Sequence, residues 1–229
     1  DSMGELGRLA AVLAHHRIES PINVGIRLTT NPNGLWRKFG IAPDMLPGIW
    51  EAIKQVPGVK FKGLQFHSSW NLSPDRQIAF IKSLGKILAV MPASFNRELE
   101  FLDMGGGYWP PEGEWLRYAG TRQGGIDKAA GKMVGTDLRC FRDPSQPISY
   151  FAAALFNAVS AHIFPWIRCR ICFEPGRWIC HNAMHLAFTV IDKKYKDMVI
   201  TDAGTNTVGW ERFETDYFPV INLTRSSLD

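Results

Sequence analysis

Four short stretches carry residue types that could do chemistry. They are His67-Ser68-Ser69, Gly105-Gly106-Gly107, Glu174-Pro175-Gly176-Arg177, and the pair Cys169 and Cys172. Consecutive glycines let successive backbone N–H groups approach an anion with no Cβ in the way, and phosphate is the usual occupant. A tight turn or close packing explains such a triplet equally well. Gly176 adds a further backbone donor, and Arg177 a cation that can meet phosphate or carboxylate. Glu174 is either an acceptor for a ligand or a structural partner of Arg177. His67 either stacks on a planar ligand or is an ordinary satisfied histidine. The two cysteines lie three apart in a strand-like run, where they point to opposite faces and are poorly placed to chelate one metal. Core packing is their expected role, and no metal site is expected. Phosphate donors, an aromatic stacker and a carboxylate together suit a phosphorylated heteroaromatic cofactor.

The elements that must position these residues alternate. Leu6, Leu9, Ala10 and Leu13 repeat at helical spacing, which predicts a helix over 3–16. Strand-like runs start near 22, 60, 99 and 168, and each is followed by a helical stretch, at 43–56, from Pro74 to Leu88, at 149–163 and at 178–191. A further strand is predicted over Met198–Asp202. Alternating strand and helix argues for a parallel sheet with helices packed outside. In such folds ligands bind at the carboxyl ends of the strands. Those ends carry Thr29-Thr30-Asn31, His67-Ser68-Ser69, the glycine triplet and Glu174 to Arg177, so one edge gathers every candidate but the two cysteines. Residues 105–147, rich in glycine, proline and charge, read as an inserted loop. With Tyr108, Trp109 and Trp115 it is either a lid or interface element, or a solvated insertion.

The composition narrows the function classes. Among 229 residues, 45% are hydrophobic and 21% charged, which is ordinary for a globular domain and excludes disorder. The net charge of +4 is spread along the chain, so no nucleic-acid footprint is expected. No apolar run approaches the ~20 residues of a membrane span. Asp1-Ser2-Met3-Gly4-Glu5 does not read as a signal peptide. The four cysteines are therefore expected as free thiols in a reducing, cytoplasmic setting.

An ordered set of motifs carries a resemblance. Asp1-Ser2 with Glu5-Leu6, Lys38-Phe39-Gly40, Gly63-Leu64-Gln65-Phe66-His67, Leu102-Asp103-Met104-Gly105-Gly106-Gly107, Glu174-Pro175-Gly176-Arg177 and Asp202-Ala203-Gly204 follow one another. In this order they resemble the pyridoxal-phosphate-dependent decarboxylases of the alanine-racemase-like barrel, which include diaminopimelate, ornithine and arginine decarboxylases. The resemblance implies that His67 stacks on the pyridine ring. It matches Gly105, Gly106, Gly107, Gly176 and Arg177 to the phosphate-binding groups, and Glu174 to the carboxylate at the ring nitrogen. Lys38 is expected to order its loop. The substrate would be an amino acid, diaminopimelate being the family-level lean, and a homodimer is implied.

Some positions depart from the family pattern. The usual His-x-Gly-Ser reads His67-Ser68-Ser69-Trp70 here, so tryptophan stands where a serine would meet phosphate. Asp202-Ala203-Gly204-Thr205-Asn206 leads to Trp210-Glu211-Arg212-Phe213, not the usual Arg-Pro before a tyrosine. In the family the Schiff-base lysine precedes the segment matching residue 1, and the catalytic cysteine follows the segment matching residue 229. The chain is accordingly expected to be an internal portion of a longer protein.

The expected fold is α/β: about the second half of a (β/α)8 barrel over 1–188, followed by the start of a β-rich domain over 189–229. Three competing functions exist. A racemase on the same barrel usually has arginine at the ring nitrogen, against which Glu174 argues. A non-catalytic cofactor-binding protein would bind pyridoxal phosphate without turnover. An unrelated phosphate-binding barrel enzyme would need only the glycine triplet.

Overall fold

A computed structural model of the chain describes residues 1–18, 20–132, 139–181, 183, 185–208, 217, 218 and 220–224. The segment Trp210 to Phe213 lies outside them. The chain divides into two compact units, residues 1–111 with 146–179, and residues 112–145 with 180–229.

The first unit opens with α1 (Met3–His15), set by a reciprocal cap. Ser2 Oγ accepts from the Glu5 N–H, and Glu5 Oε2 accepts from the Ser2 N–H at 2.9 Å. Strand β1 (Ile22–Leu28) follows, then 3-10 turns at 35–38 and 43–45, α2 (Leu46–Lys54) and β2 (Val59–Phe66). Next come α3 (Asp75–Val90), α4 (Ala93–Glu98) and β3 (Phe101–Gly106). The order β1-β2-β3 continues in space to the strand Arg170–Glu174, and every neighbouring pair is parallel. A crossover helix, Ile148–His162, leads into that last strand. The expected parallel sheet is therefore present, built from the strands expected near 22, 60, 99 and 168.

The core is made where helices cover the sheet. Phe61, Leu64, Phe66, Leu102 and Met104 from the strands are almost fully buried, as are Trp50, Ile81, Leu84, Leu88, Phe151 and Leu155 from the helices. In α3 the spacing predicts a stripe of Ile78, Ile81, Leu84 and Leu88; the last three are buried and Ile78 is partly buried against the core. Phe95 of α4 is sealed between Phe61, stacked at 5.1 Å, and Trp50, edge-on at 5.6 Å. Gly85 lets α3 approach the helix at 148–162: a Cβ there would collide with the His162 carbonyl.

The second unit holds β4 (Glu114–Arg117) paired antiparallel with β5 (Cys140–Asp143), and α5 (Arg122–Ala129). Thr121 caps α5 by accepting from the Gly124 N–H at 3.0 Å. Within the stretch 105–147 expected as an inserted loop, residues 114–117, 122–129 and 140–143 thus form regular elements. Glu114 and Leu116 alternate inward against Trp115, a short period-2 signal hidden by the charged composition around it. With the last sheet strand of the first unit named β6 (Arg170–Glu174) and the helix before it α6 (Ile148–His162), α7 (Gly176–Cys180) follows. Of the helix expected over 178–191, Trp178 to Cys180 are helical, whereas Val190 and Ile191 belong to a strand. Thr189, Val190 and Ile191 are β-branched in succession, and β7 (Val190–Tyr195) pairs antiparallel with β8 (Met198–Thr201). Asp202 closes this hairpin by accepting the Thr189 N–H at 2.9 Å while its own N–H reaches the Thr189 carbonyl. Among the described residues the last helix is α8 (Thr205–Val208).

Candidate functional site

Because β1, β2, β3 and β6 are parallel, their carboxyl ends share one edge, and the candidate residues meet there. The register places Leu28 beside Phe66 and Gly106 beside Glu174. His67 follows the end of β2, Glu174 ends β6, and the glycine triplet closes β3 between them.

The glycines are required by close packing. A Cβ at Gly105, whose φ is +66°, would stand 2.5 Å from the Phe66 carbonyl oxygen. One at Gly107, at φ +78°, would stand 2.5 Å from the Ser68 carbonyl oxygen, and one at Gly106 would overlap the Glu174 carbonyl. The triplet thus draws the ends of β2 and β6 against β3. Two of its N–H groups serve side chains: Gly105 donates to Asp103 Oδ1 at 2.9 Å, and Gly106 to His67 Nδ1 at 3.2 Å.

His67 and Glu174 are adjacent, Nδ1 lying 3.5 Å from Oε2. The imidazole Nε2 lies 3.3 Å from Ser69 Oγ. Glu174 Oε1 accepts a long 3.5 Å bond from Gln65 Nε2, and its side chain is 48% exposed. A carboxylate so lightly engaged can accept from an incoming N–H donor, and a partly exposed imidazole beside it offers a flat face. Arg177 does not pair with Glu174 but lies over the Trp109 ring, 4.2 Å from its centroid. Gly176 has open space where a Cβ would be. Ser68 and Ser69 both lie on the loop after β2, and Trp70 there has φ +55°, a left-handed conformation that costs a bulky residue about 1–2 kcal/mol.

A depression of about 1280 Å³ opens at the ends of β1 and β2, with Thr29, Asn31, His67, Ser69, Trp70 and Arg76 in its wall. Beside it, Gly40 donates its N–H to Asp1 Oδ1 at 2.8 Å, so two motif segments far apart in sequence meet. Lys38 lies over Phe39, and Lys62, in mid-strand, pairs with Glu100.

Tyr108 is no lid residue. It is buried, accepts from Gln77 Nε2 at 3.0 Å and packs edge-on against Phe151. Burial pushes its phenol up to about 12. Cys169 and Cys172 are half-buried thiols, and burial raises Cys169 to about 11, helped by neighbouring Cys172. Among the described residues there is no cluster of three or more His, Cys, Asp or Glu side chains suited to a metal, and no helix is long and apolar enough to cross a membrane.

The sequence alone did not single out Asn71. It is 1% exposed, and its amide donates to the carbonyls of Ser68 at 2.7 Å and Gly106 at 2.8 Å. No residue-type signal marks it, because its importance comes from burial between two chain segments.

No protein-family model matches the sequence, and no curated protein sequence matches it. Solved structures do match. The diaminopimelate decarboxylase from Helicobacter pylori complexed with L-lysine superposes with a TM-score of 0.60 at 18% identity, covering 90% of this chain and 46% of that one. The shared feature is the fold. The lysine/ornithine decarboxylase from Vibrio vulnificus complexed with putrescine gives 0.57 at 20% identity, over 88% of this chain and 44% of that one. The arginine decarboxylase of Paramecium bursaria Chlorella virus gives 0.54 at 22% identity, over 86% and 43%. The chain spans less than half the length of each of these decarboxylases.

Proposed function

We propose that this chain is the cofactor-binding portion of a pyridoxal-phosphate-dependent amino-acid decarboxylase, a carboxy-lyase resembling diaminopimelate decarboxylase. The observation that carries the proposal is the adjacency of His67 and Glu174 on the carboxyl edge of a parallel sheet, joined by the glycines of β3. Likeness in fold to diaminopimelate, lysine/ornithine and arginine decarboxylases supports it. In this proposal residues 1–188 form part of a barrel, 189–229 begin a β-rich domain, and the active protein is a cytoplasmic homodimer. The Schiff-base lysine and the proton donor lie outside residues 1–229.

The donor set fits the cofactor. Glu174 is exposed, with a long bond from Gln65 on one oxygen and the His67 imidazole 3.5 Å from the other, so it can accept from a protonated ring nitrogen. His67 offers a planar face beside it. The anion side would rest on Gly176 and Arg177, with the triplet drawing the strand ends together. Bound pyridoxal phosphate supplies an electron sink for the pair left when the α-carboxylate departs as carbon dioxide. Glu174 contributes by keeping a proton on the ring nitrogen, through a charge-assisted hydrogen bond that strengthens where water is excluded. His67 orients the ring and shields one side from solvent. Arg177 would leave Trp109 to meet phosphate. Glutamate at the ring nitrogen favours decarboxylation over racemisation, since a protonated ring withdraws electrons more strongly.

The test is release of carbon dioxide from diaminopimelate, lysine, ornithine and arginine by the full polypeptide supplied with pyridoxal phosphate. Turnover of one of them, reduced about a hundredfold or more in Glu174→Ala, is expected. That loss corresponds to about 3 kcal/mol of transition-state stabilisation. Cofactor binding without carbon dioxide from any of the four would make the protein a non-catalytic binder. Failure to bind the cofactor would remove the proposal altogether.

A further inference from the structure

We propose that Asn71 is a positioning residue that sets, through Gly106, which nitrogen of His67 carries the proton. The inference deepens the proposed function, because His67 belongs to that site, but its geometry is that of the protein alone.

His67 Nδ1 has two competing neighbours. The Gly106 N–H lies 3.2 Å away and can only donate, so it requires Nδ1 to be a bare acceptor. Glu174 Oε2 lies 3.5 Å away and as a carboxylate can only accept, so it favours a proton on the same nitrogen. Ser69 Oγ, 3.3 Å from Nε2, donates or accepts equally well and decides nothing. The balance therefore depends on how firmly Gly106 is held toward the imidazole.

Asn71 holds it. The two peptide groups flanking the Gly106 Cα are used in opposite senses: one donates its N–H to His67, and the other accepts from Asn71 Nδ2 at 2.8 Å. The second Asn71 amide hydrogen goes to the Ser68 carbonyl at 2.7 Å, and Oδ1 accepts from Ser68 Oγ at 3.1 Å. Both carbonyls face the same amide atom, which identifies it as nitrogen. The Asn71 backbone N–H adds a bond to the Gly107 carbonyl at 2.9 Å. Asn71 is thus buried, fully used, and bonded to both the loop that follows His67 and the glycines of β3. On the far side, Glu174 backbone fills the space beside Gly106. Held so, Gly106 keeps its N–H on Nδ1, the proton stays on Nε2, and the Glu174 carboxylate is not consumed by the imidazole.

The experiment reads the tautomer directly, by long-range proton–nitrogen correlation on the full polypeptide with labelled histidine, without cofactor and at alkaline pH where the imidazole is neutral. The expected spectrum shows a bare Nδ1, a protonated Nε2, and a coupling across the Gly106 N–H···Nδ1 bond. Asn71→Asp puts an acceptor of the same shape in place of the double donor. It should move the two nitrogen signals toward each other and abolish the coupling, as should Asn71→Ala. Ser68→Ala removes only the bond to Oδ1 and should keep the original tautomer. A proton on Nδ1 in the unsubstituted protein, absence of the coupling there, or an unchanged tautomer in a folded Asn71 variant overturns the inference. The first two outcomes are decisive even if neither variant folds. A protein that passes and yet releases no carbon dioxide loses the decarboxylase proposal alone. One that decarboxylates with Nδ1 protonated loses only the role of Asn71.

Discussion

Gly106 and Glu174 stand side by side across β3 and β6, and the Glu174 carbonyl occupies the space that a side chain at 106 would need. The two strands can therefore pair to their carboxyl ends only with glycine there. This packing, and not anion binding alone, accounts for the middle residue of the triplet.

Gly106→Ala should force β3 and β6 apart and destabilise the protein by about 1–3 kcal/mol, the usual cost of overpacking. Gly48 in α2, with nothing near its missing Cβ, is the control. Gly48→Ala should be neutral or stabilising by about 0.5–1 kcal/mol. Urea midpoints for the two variants check both outcomes.

A second close approach lies at Gly85, where α3 meets the end of α6. Gly85→Ala should cost about as much as Gly106→Ala, again roughly 1–3 kcal/mol, because the obstacle is the His162 backbone and not a flexible side chain. Equal stability of Gly85→Ala and the parent in thermal melts would contradict this packing.

Tyr108 makes stability fall in alkali. Its phenol titrates at about 12 when folded, against 10.0 for an exposed tyrosine. Between those values the unfolded chain has released the proton and the folded chain has not, so stability is present below the unfolded pKa and declines as pH rises from 10 toward 12. The decline should amount to roughly 1–3 kcal/mol. Tyr108→Phe should lack that part of the slope, which stability curves at pH 9 and 11 would reveal.

Three of the four thiols should react in a defined order. Cys140 and Cys180 are exposed, whereas Cys169 is half-buried with its pKa raised to about 11. Since the thiolate is the reactive species, alkylation near pH 8 should reach Cys140 and Cys180 well before Cys169. Peptide mass analysis over time measures the order, and early labelling of Cys169 would sink the account.

Much of the first unit was legible as pattern. Apolar runs at β1, β2, β3 and β6, each followed by a helical period, predicted the parallel sheet, and parallel strands bring their carboxyl ends together. The residues that follow those ends therefore share one edge of the sheet, as their places in the sequence imply. Short elements were harder to see. β4 and β5 are four residues each, within a charged and glycine-rich stretch, and β7 replaced a predicted helix because pairing with β8 outweighs local spacing. The sequence leaves Tyr108 in a stretch that is either a lid or interface element or a solvated insertion, because its burial depends on Gln77, Phe151 and Phe173 arriving from other elements.

By itself the sequence determined the kinds of groups on one edge of the sheet: an imidazole, a carboxylate, a guanidinium and three glycines. Side-chain chemistry and the alternation of elements are local properties, and both can be read from the order of residues. Only the tertiary structure decided what these groups do to one another. Arg177 turned to Trp109 and not Glu174, the glycines answered to backbone packing, and a buried asparagine joined two segments beside the histidine. Each of these relations joins segments 35 to 68 positions apart in the chain, and distances between such segments are set by packing, which no local pattern encodes.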